Sequence, residues 1–321
     1  MGEIEVYSRC QRRITMRQAR KGFFLGLIML FSILCLAGFC LSDERKSPGP
    51  KFSLKLTGGA RYAAVGDLNE YLDSFNQRPD ICGKVAEAAN WSNDWELELR
   101  MRLSSRVELG LATSGFFNKK SPSSIFLFGG EVLDPDITKS DDRIEFMPEI
   151  RAAMPLGLNL YYSLCSCSRM NLLVDLGLGW YTGRMTENYV VNMYQSDGGT
   201  HFGALYWSVN NNFSLGFQGG LGLEYAVTDE LALVVELQGR FARISSLKGK
   251  ICAMSNNSLS KETGTLYYYQ WAWFGDGPWY PVLMVSESPP EGGIGSFKDV
   301  REARLDLSGF ALRIGLRIRL F

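Results

Sequence analysis

Beyond residue 52, hydrophobic and polar residues alternate one by one through most of the chain, a period of two that predicts strands with one apolar face. WELELRMRLS sets Trp95, Leu97, Leu99, Met101 and Leu103 against Glu96, Glu98, Arg100 and Arg102. The final GFALRIGLRIRLF sets Leu312, Ile314, Leu316, Ile318 and Leu320 against Arg313, Arg317 and Arg319. Similar segments begin near Phe52, Val107, Ile144, Leu172, Phe213 and Leu231, which brings the predicted strands to eight. The one from Ile144 to Leu164 keeps a single parity and would reach roughly 70 Å unbroken at about 3.3 Å per residue. Pro148 and Pro155 therefore predict an interruption, a bulge or an exposed edge within it.

The connections carry a second regularity. Links near 104–106, 165–168 and 226–230 are short; those near 66–92, 118–142, 186–211 and 245–302 are long. Short and long alternate, as they do when the short turns share one end of a barrel and the long loops the other, with both termini at the short-turn end. A β-sandwich can alternate in the same way along each strand, but would leave the order of the links to chance; in a soluble barrel the polar face would simply meet water. Lipid offers no partner to strand edges, so a membrane sheet must close. Eight strands enclose a space that side chains fill. The fold expected is all-β: an eight-stranded antiparallel up-and-down transmembrane β-barrel with short periplasmic turns and long extracellular loops.

The face opposite the apolar rows is then lumenal. It assembles a candidate charge network of Glu96, Glu98, Arg100, Arg102, Asp175, Glu236, Arg240, Arg313, Arg317 and Arg319, joined by Lys55, Arg61, Glu108, Glu149, Arg151 and Glu224. Trp95, Trp180, Tyr181, Tyr225 and Phe321 fall near strand ends, where amphipathic rings suit a lipid–water boundary.

Ahead of the strands, RQARK followed by GFFLGLIMLFSILCLAGFC reads as an export signal, with cleavage after Ser42 and Met16 as a second candidate start. A retained signal anchor is the other reading of this stretch. The expected organisation is a signal peptide over 1–42, a polar linker over 43–51 and the barrel over 52–321. An oxidising compartment permits disulfides, and Cys82 and Cys252, both in long connections, form the candidate cross-loop bridge. Cys165 and Cys167 stand too close together for tetrahedral metal spacing and decorate a turn.

The 34 basic and 34 acidic side chains cancel, which gives no argument for nucleic acid. No catalytic set emerges. His201 is the only histidine, the serines lack a nucleophile elbow, and Asp134, Asp136, Asp141 and Asp142 lack the spacing of an ion loop, so no metal or cofactor is assigned. The richest candidate is the last long loop, LYYYQWAWFGDGPWYP. There Tyr267, Tyr268, Tyr269, Trp271, Trp273, Trp279 and Tyr280 either pack the loops together or offer a surface to a carbohydrate or protein.

Over 52–321 the chain resembles the small outer-membrane β-barrel proteins of Gram-negative-type bacteria, broadly the OmpA, OmpX and OmpW-like group. FSLKLTGGARY, PLGLNLYYSL…SRMNLLVDLGLGWYTG and LSGFALRIGLRIRLF carry the resemblance. It implies residence in the outer membrane, contact with its lipid, and insertion by the outer-membrane assembly machinery, which reads a C-terminal strand ending in an aromatic residue. Phe321 has that identity but shares parity with Arg317 and Arg319, leaving Leu320 in the apolar register. The function expected is structural or interaction work in the envelope. Passage of a small apolar solute is the alternative, and an outer-membrane enzyme a distant third.

Overall fold

The computed structural model describes residues 51–77, 81–82, 90–119, 123–127, 143–194, 200–256, 258–272, 278–291 and 296–320. The expected signal segment 1–42, all of the expected linker but Lys51, and Phe321 lie outside them, as do the four loop aspartates between 134 and 142. Strands and helix are numbered along the chain. Eight antiparallel strands close in the order β1 (Phe52–Gly66), β3 (Trp91–Arg102), β4 (Val107–Lys119), β7 (Glu149–Ser166), β8 (Met170–Tyr194), β9 (Thr200–Ala226), β10 (Leu231–Ile244) and β15 (Leu305–Arg319). The seam is complete, because β15 pairs β1 from Ser53↔Arg319 to Gly66↔Leu305. All three short turns lie at the end that also holds Phe52 and Arg319. Two are closed by hydroxyls: Ser104 Oγ accepts from the Val107 amide at 3.1 Å, and Thr228 Oγ1 from the Leu231 amide at 3.0 Å.

The opposite end is more built than the expected loops. β8 and β9 run on as a long hairpin past the barrel. To one side of it, β6 (Arg143–Phe146) pairs β8, then come β5 (Ser123–Leu127) and β2 (Ile81–Cys82). To the other, β11 (Lys248–Ser255) pairs β9, β12 (Ser258–Ala272) pairs β11, and β13 (Tyr280–Ser286) and β14 (Ser296–Glu302) flank β12. The first long connection holds the one helix among the described residues, α1 (Asp67–Gln77).

The long single-parity segment does not stay in phase. It is broken at Met147–Pro148, and the β7 register shifts again between Ala153 and Leu156. Below that bulge Leu156, Leu158 and Leu160 face outward; above it Ile150, Ala152 and Met154 face inward. Pro155 lacks the amide a regular ladder needs, which accounts for the slip. Arg151 and Glu149, expected in the lumen, are consequently turned to the outside. β9 carries a matching shift, with Tyr181↔Ser214 followed by Gly183↔Asn211.

β1 enters α1 through two residues in the left-handed region, Val65 at φ 62° and Gly66 at φ 68°. A Cβ at Gly66 would sit 3.2 Å from Asp306 Cβ. The Gly66→Ala variant is expected to lose about 1–2 kcal/mol, the cost of a left-handed alanine, and hydrogen exchange of the α1 amides against those of mid-barrel β3 would register it as faster opening of α1 alone.

Candidate functional site: a charged lumen, an apolar belt and a cap

The outer wall of the barrel is hydrophobic. Leu176, Leu215 and Ile314 are 71%, 66% and 61% exposed, and they belong to rows running round all eight strands. So large a continuous apolar surface does not belong in water. On β3 the run from Trp91 to Leu103 climbs roughly 30 Å once a barrel tilt is allowed for, about the thickness of a hydrocarbon core. Rings mark its loop-side rim: Tyr62 stacks on Phe310 at 5.4 Å with Trp91 edge-on to both, and Trp180 meets Phe213 at 5.7 Å. Trp95, Trp180 and Tyr225 face outward, whereas Tyr181, expected beside them, is buried in the lumen because it follows Trp180 on the opposite face. These surfaces belong to a transmembrane barrel of the outer-membrane type. Among the described residues no helix is long and apolar enough to cross a membrane.

Inside, the lower lumen is packed with charge. Lys55 Nζ lies 2.9 Å from Glu96, 2.9 Å from Glu98 and 2.7 Å from Glu236, so one ammonium meets three carboxylates. Arg100 spreads its guanidinium to Glu98 at 2.7 Å, Glu224 at 2.8 Å and Glu236 at 2.9 Å, with Tyr161 stacked 3.7 Å away. Arg313 binds Asp94 and Glu96; Arg317 binds Glu108 and Glu224. Above them the chain of contacts becomes neutral: Asn159 donates to Glu98 at 2.8 Å, Gln218 to Asn159 at 2.7 Å, and Tyr181 to Gln218 at 3.1 Å. Inward glycines leave the room these long side chains need. A methyl at Gly110 would run into the Glu98 carboxylate, and one at Gly177 into Asn159.

Of the ten residues expected in this network, Glu96, Glu98, Arg100, Asp175, Glu236, Arg240, Arg313 and Arg317 are buried in the lumen. Arg102 and Arg319 are not in the packed layer. They stand at the short-turn rim, Arg102 at 3.8 Å from Glu108 and Arg319 donating to the Asp229 carbonyl at 3.1 Å. Arg240 lies higher than the rest, against the Tyr181 ring at 5.1 Å and beside Gln238. Asp94, Asn159, Tyr161 and Gln218 complete the layer. Asp94 shares the parity of Glu96 on β3 and Gln218 that of Glu224 on β9, while Asn159 and Tyr161 are signalled by alternation with the outward Leu158 and Leu160.

Over the charge layer sits a hydrophobic core. Leu68, Tyr71 and Leu72 form the buried stripe of α1 and pack among Ile150, Met154, Met185, Trp207, Ile244, Leu283, Val285 and Leu305. Their spacing of three and four is that of an amphipathic helix, the signal that identifies α1 in DLNEYLDSFNQ. The helix start is pinned as well: Asp67 takes two bonds from Arg301 at 2.6 and 2.8 Å and one from the Arg304 amide at 2.8 Å.

The aromatic-loop residues mostly build this cap. Tyr267, Tyr268 and Tyr269 are buried on β12, not displayed, because β12 is covered on both faces. Tyr268 donates to Glu70 at 2.8 Å and lies 4.2 Å under Arg301; burial holds its phenol up at about 12. Tyr269 meets Phe297 edge-on at 5.3 Å. Trp271, Trp279 and Tyr280 are half-buried at the edge, with Lys298 over Trp279 at 4.3 Å. Trp273 lies outside the described residues, as does the His201 side chain. The expected Cys82–Cys252 bridge is not formed. Cys252 is a free thiol on β11, paired in register with Tyr206 and Lys261, while Cys82 pairs in β2 with Phe126 of β5, at the other end of the sheet path.

One cap residue stands apart. Glu187, on the part of β8 that rises above the belt, is 1% exposed beside its cross-strand neighbour Trp207. Neither of its oxygens nor Trp207 Nε1 has a partner of full hydrogen-bond geometry. Burial pushes the carboxyl up to about 8, only partly opposed by the nearby Trp207 indole and Tyr71 hydroxyl.

No protein-family model and no curated protein sequence matches the chain. Among solved structures it is similar to a major outer membrane protein of Thermus thermophilus, at 12% identity over 84% of this chain and 99% of that one, TM-score 0.40. It is similar also to Neisserial surface protein A, at 10% identity over 84% and 96%, TM-score 0.34. A third is the outer membrane protein OprG of Pseudomonas aeruginosa, at 12% over 84% and 95%, TM-score 0.35. These overlays are loose; the closed register, the belt and the charge-filled lumen identify the fold.

Two outcomes are expected. Lys55→Met takes from Glu96, Glu98 and Glu236 the ammonium they share, leaving only Arg313 on the first and Arg100 on the other two, and costs about 3–5 kcal/mol, the usual penalty for halving a buried ion pair; urea unfolding of the micelle-embedded protein measures it, and a loss under about 1 kcal/mol would mean that water already screens the layer. The second concerns the cap. Glu187 binds its proton more tightly folded than unfolded, so cap stability is fully present below about pH 4.5, the ordinary carboxyl value, and is lost as pH rises through about 8. Trp207-region hydrogen exchange should quicken across that window in the native protein and stay level in Glu187→Gln.

Proposed function

We propose that this protein stands in the bacterial outer membrane as a sealed barrel whose work is done by its folded cap at the cell surface, in a structural or interaction role. One observation supports the reading: among the described residues the lumen holds a layer of buried paired charges below and a buried apolar core above, a filling that favours a sealed barrel. Lipid holds the belt, and the outer-membrane assembly machinery is the partner during insertion. The half-buried edge of Trp271, Trp279 and Tyr280 is the candidate contact for an envelope protein or a carbohydrate. Glu96, Glu98, Glu224 and Glu236 are each paired with a lysine or an arginine, which favours a structural role for these carboxylates over a catalytic one.

Passage of a small apolar solute is the second reading, favoured by the change of character at the height of Met154 and Leu307, where the interior turns from charged to hydrophobic. A solute accepted there would meet the charge layer and have to leave sideways through the wall. The two readings separate in reconstituted vesicles. The sealed-barrel reading expects no steady ionic conductance in planar bilayers and no acceleration of a membrane-partitioning aromatic probe across the vesicle wall. Stable conductance overturns the sealed lumen; faster probe entry at unchanged conductance moves the assignment to transport.

A further inference from the structure

At the short-turn end, the hairpin between β7 and β8 gathers three sulfur-bearing side chains. Its turn reads Cys165-Ser166-Cys167-Ser168-Arg169-Met170, and both cysteines are half-buried thiols. The Cys167 amide donates to the Met170 carbonyl at 2.8 Å, so Ser168 and Arg169 make the bend and Cys167 and Met170 face each other across it. Side chains so placed stand about 5 Å apart at their β-carbons. Cys165 joins them through a bulge. The register passes from Ser163↔Leu173 directly to Cys165↔Leu172, leaving Leu164 as the extra residue. Strict alternation from the lumenal Ser163 would turn Cys165 inward; the bulge instead sets it beside Leu172, which shares the parity of the outward Leu176. Ser166↔Asn171 is the next pair, with Asn171 inward and hydrogen-bonded to Ser163 at 2.5 Å, so Cys167 and Met170 return to the outer face as well. Cys165 and Cys167 are then about 7 Å apart along the strand. A second bond holds the bend, from the Ala226 amide to the Arg169 carbonyl at 2.7 Å.

The donor set decides the ion. Two cysteines two residues apart are too close for the tetrahedral spacing of a structural zinc site, and among the described residues no three of histidine, cysteine, aspartate and glutamate come together to hold a metal. The third donor here is a thioether. Hard and borderline divalent ions bind it poorly, whereas thiolate and thioether together select soft copper(I), which is satisfied by two or three ligands. Two thiolates around one copper(I) leave a single negative charge, and Arg169, exposed in the same turn, sets a cation beside it. We propose that Cys165, Cys167 and Met170 form a copper(I) site at the periplasmic edge of the barrel, the two thiols giving up their protons to solvent as the metal binds. Backbone bonds hold the bend before the ion arrives, so little ordering opposes binding. That the site faces the periplasm rests on the outer-membrane reading given above; the donor set does not.

The test uses the full-length protein, extracted from outer-membrane fractions in a non-ionic detergent without oxygen, in competition for copper(I) with a chromophoric copper(I) chelator. The native protein is expected to take one copper(I) from the chelator into a shell that X-ray absorption reads as sulfur only. Cys165→Ser combined with Cys167→Ser abolishes the uptake, and Met170→Leu, which keeps the side-chain volume, weakens it about tenfold. Cys252→Ser, in the cap, leaves it unchanged. Heat-modified mobility checks that each variant has folded, and equimolar zinc(II) should not displace the copper. Full uptake by the double variant, native affinity in Met170→Leu, displacement by zinc(II), or a Cys165–Cys167 disulfide found on alkylating unreduced envelopes overturns the site. Absence of the native protein from the outer-membrane fraction sinks the membrane reading, whereas correct fractionation without copper uptake sinks this inference alone.

Discussion

Lys55 is a single nitrogen with three carboxylates within 2.9 Å, and much of the lower barrel is arranged around that necessity. A charge enclosed by a wall of lipid-facing strands cannot borrow compensation from outside. Each must be met by a side chain long enough to cross the lumen. Glu96 comes from the neighbouring β3 but Glu236 from β10, so the Lys55–Glu236 pair ties together strands that share no backbone ladder. Such clusters add little net stability compared with a well-packed apolar filling. What they do is specify register: a strand displaced by one residue would turn its arginines into lipid and its leucines into the charge layer.

The cap answers a different demand. Strands that leave the bilayer return to water, and there the inward face changes from charged to apolar while the outward face changes from apolar to polar. The bulge near Pro155 and its counterpart on β9 perform that exchange, and between them β8 continues through in one phase. Below, the barrel is an inverted object with its oil outside; above, it is an ordinary soluble β-rich domain with its core inside. α1 fits the second regime only, since Leu68 and Leu72 need an apolar floor and find it above the lumenal Asn159–Gln218–Tyr181 chain.

Most of the barrel was legible in the sequence because period two and link length are both written locally. Glu96, Glu98 and Arg100 face inward on the strand where WELELRMR predicts it, and the turns at 104–106 and 226–230 fall where the alternation pauses. What was not legible depended on contacts distant in sequence. The single parity from Ile144 to Leu164 concealed a face inversion, because hydrophobic residues serve equally in a lipid-facing row and in a buried core. Composition left Tyr267–Tyr269 open between loop packing and a binding surface, and their burial takes the packing side, with β13 and β14 flanking their strand. The pairing of Cys82 with Cys252 was inferred from loop membership alone, and the β5–β6 and β11–β12 sheets carry the two residues to opposite flanks of the long hairpin. The helix in the first long connection was not among the expected elements, although the spacing of Leu68, Tyr71 and Leu72 carries its signal.

The paired bulges also mark where this architecture can vary. Side-chain direction repeats every two residues, so adding or removing residues in pairs above the bulges alters the height of the cap while every lipid-facing leucine and lumenal arginine below keeps its place. The surface-exposed part can therefore diverge in length and decoration under selection from outside the cell, uncoupled from the slower requirements of the bilayer. A lineage carrying such a joint can remodel what it shows to its surroundings without relearning how to insert.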